Sequence, residues 1–118
     1  MTRAIVGFHD KSEHWLASRL EPGFKHCMVA VLDDDWGWIE IDFRGGTPTV
    51  RLMAAPDFDL IKHYGEHDIK AVETETIDTD FRSPCFVASC VGLVKAILGI
   101  RRPFIITPYQ LWRFLNET

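Results

Sequence analysis

Residues 23–43 read GFKHCMVAVLDDDWGWIEIDF. Two runs rich in valine, isoleucine and tryptophan, 25–32 and 36–43, flank Asp33-Asp34-Asp35. Short β-prone runs on either side of a polar tripeptide are the mark of an antiparallel hairpin. A three-residue loop at 33–35 places opposite each other residues whose numbers sum to 68. His26 then faces Asp42, Met28 faces Glu40 and Ala30 faces Trp38, with opposed Cβ atoms ~5 Å apart on one face of the sheet. A two-residue loop changes the register and puts Ile41 or Phe43 opposite His26 instead. An ionisable residue at the head of a strand is costly unless it has a partner. A carboxylate beside the imidazole fixes its tautomer and favours its protonated form.

Around this hairpin the chain reads as an α+β domain spanning 1–118, with an antiparallel sheet packed against a cysteine-bearing helix. Ala4–Phe8 is a short strand. Lys11–Leu20 is a weakly amphipathic helix with Asp10 as N-cap, ended by Glu21-Pro22-Gly23. Thr49–Met53 is a further strand. Pro56–Tyr64 suggests a short helix stopped by Gly65, and residues 69–77 alternate as a half-exposed strand does. Phe86–Leu98 is an apolar run of helical length, with Val91, Val94, Ile97 and Leu98 at helical spacing and Gly99 as C-cap. Residues 103–106 read as a short extended piece. Thr107 caps a final helix with Pro108 at its first position.

The totals narrow the function classes. A chain of 118 residues with 47% hydrophobic composition has enough material for one core. A formal charge of −4, with basic residues scattered, argues against a nucleic-acid surface. No apolar stretch reaches ~18 residues, so no membrane span is expected. The first residues carry no secretion signal, which points to a cytoplasmic or virion-associated protein. Three cysteines without regular spacing do not form a disulfide framework, and free thiols in a reducing compartment are the simpler reading.

Cys90 follows Ser89 at the start of a helix, where unpaired N–H groups and the helix dipole favour a thiolate. Cys90, His26 and Asp42 together have the makings of nucleophile, base and orienter. A cysteine in an apolar helix is more often a plain core residue, and His26 or Asp42 alone is equally at home capping a strand end. Cys27 belongs to the opposite face from His26 and reads as core. Cys85 lies in a loop, open as an exposed thiol, a rival nucleophile or a resolving cysteine. A metal site from His26, Cys85 and Cys90 lacks any recognised ligand spacing, and no cofactor is called for. His9, His14, His63 and His67 read as surface or helix-face residues. Trp36, Trp38, Trp112 and Phe114 read as core.

GFKHCMVAV, WGWIEIDF, SPCFVASCVGLVKAILGI and TPYQLWRFL, taken in that order, resemble the circularly permuted papain-like proteins of the NlpC/P60 superfamily. They are most similar to its small bacteriophage-encoded members. In the permuted branch the histidine strand precedes the cysteine helix. The resemblance covers roughly residues 23–116, more weakly over 50–82. It implies Cys90 as nucleophile, His26 as general base and a polar residue of the next strand as third member, Asp42 first and Glu40 second. It also implies a thiol hydrolase or acyltransferase acting on a peptide, peptidoglycan or other acyl substrate, in a phage setting. The alternative is a non-enzymatic phage structural or host-interaction protein that keeps the fold, docked to a virion assembly.

Overall fold

The computed structural model describes residues 2–11, 20–44, 47–76 and 89–117. Five strands form one antiparallel sheet: β1 (Arg3–His9), β2 (His26–Asp33), β3 (Gly37–Arg44), β4 (Thr47–Ala54) and β5 (Lys70–Glu75). Their spatial order is β4-β3-β2-β1-β5. Helix α1 (Leu60–Glu66) connects β4 to β5, and α2 (Cys90–Leu98) and α3 (Pro108–Glu117) follow the sheet. The chain is thus α+β, with a sheet carrying a cysteine-headed helix. The expected helix over 11–20 falls largely outside the described residues, as do Cys85 and His14.

Period-two alternation sorts the central strands into two layers. Ala4, Val6, Phe8, Cys27 and Val29 face α2 and α3, where they meet Val91, Val94, Leu98 and Leu111. Ile5, Met28, Ala30 and Trp38 face the other way, onto Leu60 and Tyr64 of α1. β1 is buried on both faces because it lies between β2 and β5 and beneath both layers. Each fully covered large side chain in these layers contributes ~1.5–3 kcal/mol of apolar burial. Gly7 suits this closeness: a Cβ there would stand 2.8 Å from Met28 Cε and 2.9 Å from Ile69 Cγ2, so both side chains would have to shift.

The hairpin forms, but its register differs from the expected one. Val29 pairs with Ile41, Ala30 with Glu40, Leu32 with Trp38 and Asp33 with Gly37, so opposed numbers sum to 70. The loop is therefore 34–36. Two local features set it there. Asp33 Oδ1 accepts from the N–H groups of Asp35 (3.0 Å) and Trp36 (2.9 Å), closing an Asx-type turn. Gly37 takes φ 115°, a conformation open to glycine, with Ala54 O only 2.0 Å from where a Cβ would stand. Met28 and Glu40 are consequently not opposite each other, nor are Ala30 and Trp38. The shift is an even number, so every side chain keeps its face.

The helix ends follow local chemistry. Ser89 caps α2, its side chain accepting from Gly92 N–H at 3.1 Å, and Gly99 ends it at φ 78°. At α3, Thr107 Oγ1 accepts from Gln110 N–H while Gln110 Oε1 accepts from Thr107 N–H, a reciprocal capping box. Three expectations need correction. Gly65 does not stop α1, which runs on to Glu66, and the left-handed position falls to Asp68 at φ 60°. Residues 103–106 form a turn rather than a strand: Ile105 N–H closes onto Arg102 O, and the buried Lys95 ammonium donates to Arg102 O (3.0 Å) and Ile105 O (2.7 Å). Trp36 is 72% exposed at the hairpin tip, whereas Trp38 is buried. The flanking strands are also shifted slightly, β4 extending past Thr49–Met53 at both ends and β5 falling short of 69–77.

Candidate active site

The site forms where β2 begins and α2 begins. Phe24, packed on Phe8, Tyr109 and Trp112 with ring centroids 5.7, 5.2 and 5.0 Å away, anchors the chain just ahead of β2. Lys25 N–H donates to His9 O, which fixes the entry to the strand. His26 is thereby held at the rim of the sheet. Ser89 and the α2 first turn bring Cys90 to the same place, because Val91, Val94 and Leu98 pin the helix against the layer that contains Cys27.

His26 Nε2–H donates to Asp42 Oδ1 at 2.6 Å, and both residues are buried. This is the pairing the hairpin reading anticipated, reached diagonally instead of directly. Strand alternation keeps Asp42 on the face of His26 despite the change of register. Asp42 Oδ1 also accepts from Phe43 N–H at 2.8 Å, which fixes the carboxylate. With Nε2 committed to Asp42, the ring nitrogen left for the thiol is Nδ1. The Cys90 thiol lies in hydrogen-bonding contact with the His26 ring.

Cys27 has a part that sequence reasoning missed. Its thiol and its backbone N–H both hydrogen-bond to the Cys90 sulfur. The residue is core, as alternation implies, and fully buried. Yet its position next to His26, at the strand end that α2 abuts, puts its S–H and N–H at the sulfur. Only the spatial approach of α2 reveals that; the sequence signal was simply two chemically active residues in a row.

The electrostatics follow from these contacts. The Cys27 S–H bond favours the Cys90 thiolate most. Burial opposes it, but the hydrogen bond and charge of His26 and the Cys27 N–H outweigh that, bringing the Cys90 thiol down to about 4. Burial works against the His26 imidazolium, yet the bond to Asp42 and the bond and charge of Cys90 raise its pKa to about 9. Burial pushes the Cys27 thiol well up, and its bond to the Cys90 thiolate pushes it further, so Cys27 stays a protonated donor. Between about pH 4 and 9 the site is a thiolate–imidazolium pair backed by a carboxylate. A half-buried cysteine in that state has the protonation a thiol nucleophile needs at neutral pH.

Glu40 shares the face of His26 but serves a different end of the sheet. Its carboxylate accepts from Tyr64 O–H at 2.9 Å and pairs with Arg51 at 3.2 Å, tying α1 and β4 to β3. His9, expected at the surface, is buried. It pairs across the ladder with His26, and the two rings lie 5.1 Å apart, with His9 Nδ1 accepting from Lys11 N–H at 3.0 Å. His63 and His67 lie on and just after α1, their rings 4.4 Å apart. Among the described residues no three His, Cys, Asp or Glu side chains gather as a metal ion would need. No described helix is long and apolar enough to cross a membrane.

Compared with protein-family models, curated proteins and solved structures, the chain matches none. What can be said of its chemistry therefore rests on the residues themselves.

Proposed function

We propose that the protein is a thiol hydrolase or acyltransferase that works through Cys90, His26 and Asp42 on a permuted papain-like fold. One observation carries this reading. A cysteine at a helix N-terminus contacts an imidazole whose other nitrogen is held by a buried carboxylate at 2.6 Å. The chain order, histidine strand before cysteine helix, is the order of the permuted branch.

The Cys90 thiolate attacks the carbonyl carbon of an amide, ester or thioester. The first N–H groups of a helix have no intrahelical partners. Ser89 Oγ takes that of Gly92, leaving those of Cys90 and Val91 as donors to the developing oxyanion. The His26 imidazolium gives its proton to the leaving group. The neutral ring then draws a proton from water or another acceptor that opens the acyl-enzyme. Asp42 holds the ring so that Nδ1 faces the sulfur throughout. A cell-wall peptide amide in a phage context is the proposed substrate class, and it rests on the family resemblance.

Exposed apolar side chains, with Phe104 at 86% and Val50 at 70%, favour a second reading as a docking module that keeps the fold without the reaction. Thiol reactivity separates the two. Alkylation by iodoacetamide at pH 5.5, followed on Cys90 by peptide mass, proceeds at close to its neutral-pH rate for the hydrolase. A spectator thiol titrating near ~8.5 is about 0.1% ionised there and reacts several hundredfold more slowly than at pH 8.5. Turnover of muropeptides that Cys90→Ala abolishes supports the cell-wall assignment. Fast alkylation without turnover of any amide, ester or thioester in a panel refutes the enzyme reading.

A further inference from the structure

Acyl transfer needs one thiol, and this site brings a second into the same core cluster. Cys27 is fully buried, so it is closed to any bulky substrate. The packing of α2 on β2 nonetheless sets the half-buried Cys90 against the core cluster that includes Cys27, whose thiol is a hydrogen-bond partner of the Cys90 sulfur. Both sit in one core cluster, Cys27 on β2 and Cys90 at the head of α2. We propose that Cys27 and Cys90 form a site of reversible oxidative modification, in which a small hydroperoxide converts the nucleophile into an intrachain disulfide.

The chemistry balances in two steps. The Cys90 thiolate attacks the nearer oxygen of the peroxide: an S–O bond forms and the O–O bond breaks. The departing hydroxide or alkoxide takes the proton of the His26 imidazolium and leaves as water or alcohol. Sulfur has lost two electrons to the peroxide, and Cys90 is a sulfenic acid. The Cys27 sulfur then attacks the Cys90 sulfur, forming the S–S bond and breaking S–O. Hydroxide departs with the Cys27 thiol proton as a second water. A dithiol reverses the bridge by exchange, becoming oxidised itself.

The features that activate the sulfur for acyl chemistry also expose it to this reaction, since susceptibility follows thiolate character and access. Without a resolving partner the sulfenic acid proceeds under excess peroxide to sulfinic acid, which is irreversible. Cys27 is the neighbouring thiol in the same core cluster that can intercept it, the bridge forming as the two sulfurs close to ~2.05 Å. The bridge would join β2 to α2, removing the nucleophile while keeping the core closed. The proposal stands on the two sulfurs alone and holds whatever the substrate proves to be.

Trypsin places the two residues in separate peptides, His26–Arg44 and Ser83–Lys95. The native protein is treated with hydrogen peroxide, blocked with alkylating agent, denatured and digested. The expected result is one linked pair of these peptides, with fragmentation placing the bond at Cys90 and not Cys85, and an intact mass lower by two hydrogens. Dithiothreitol then restores Cys90 labelling fully. In Cys27→Ala, or Cys27→Ser should the alanine variant fail to fold, Cys90 is carried to sulfinic acid and labelling is not restored. A link through Cys85, no linked pair in the native protein, or equal recovery of labelling in the variant overturns the proposal. Loss of muropeptide turnover is not read, so this test and that of the hydrolase reading fail separately.

Discussion

The dependence of folding stability on pH should carry the signature of the Cys90–His26 pair. In the unfolded chain an imidazole titrates near 6.5 and a thiol near ~8.5. In the folded chain the thiol falls to about 4 and the imidazole rises to about 9. Taken alone, the His26 contribution is complete below 6.5 and is lost as pH rises through about 9. The Cys90 contribution is complete above the unfolded thiol value and is lost as pH falls through about 4. Below pH 4 both states therefore hold both protons. From about 4 to 6.5 the unfolded state holds two protons and the folded state one, so stability climbs with pH. From 6.5 to ~8.5 each state holds one, on sulfur when unfolded and on the ring when folded, and the two trends cancel. The climb spans about 2.5 pH units at 1.36 kcal/mol each, or about 3 kcal/mol. Urea unfolding under reducing conditions, at steps from pH 4 to 9, measures it. Cys90→Ser supplies the reference, since the remaining carboxylates titrate in both proteins and drop out of the difference. The expected difference curve rises across pH 4–6.5, rises on above 6.5 only as far as Asp42 alone keeps the His26 pKa raised in the variant, and turns down above ~8.5. Parallel stability curves, separated by a constant offset, would refute the thiolate–imidazolium assignment.

Other perturbations have distinct outcomes. Asp42→Asn replaces a charge-assisted hydrogen bond worth ~1.5–3 kcal/mol with a neutral one, so the His26 pKa measured by NMR drops by ~1–2 units; an unchanged value would remove Asp42 from the site. Cys27→Ala takes away the S–H donor but keeps the backbone N–H, and the acid limb of Cys90 alkylation moves to higher pH, which a pH–rate series with iodoacetamide reads directly. Tyr64→Phe leaves a buried Glu40 oxygen without its 2.9 Å donor and costs ~1–3 kcal/mol in denaturant unfolding, with Cys90 alkylation unaffected. Gly65→Ala stabilises α1 by ~0.5–1 kcal/mol, because the residue is exposed and helical and a Cβ there meets nothing within 4 Å; a loss of stability would contradict the helix boundary.

Local chemistry was legible from the sequence where one residue decides the outcome. Ser89, Gly99 and Thr107 end or begin their helices as their side chains dictate. His26 and Asp42 meet because alternation preserves the face under any even change of register. The register itself was not legible. It depends on Asp33 folding back on its own loop and on Gly37 lying so near Ala54 O that a Cβ there would stand 2.0 Å from it, an approach to the far end of β4. Glu40 stood second to Asp42 as third member of the site because both share a face. Only the arrival of Tyr64 and Arg51 assigns it elsewhere. Gly65 reads as a stop by composition, but the burial of Tyr64 against the sheet carries α1 past it. The role of Cys27 lay beyond any pattern in one strand, since it depends on which helix comes to rest against the strand's end.

The last helix stands behind the proposed site, and both halves of that site lean on it. Tyr109 and Trp112 brace the aromatic ring that precedes His26, while Leu111 packs into the same layer as the helix bearing Cys90. A keystone placed behind two abutments has the same property: withdrawn, it lets both sides spread. Substitutions that thin Trp112 or Leu111 will therefore part sulfur from imidazole without touching either, and their damage will show first as a blunter nucleophile and only later as an unfolded chain.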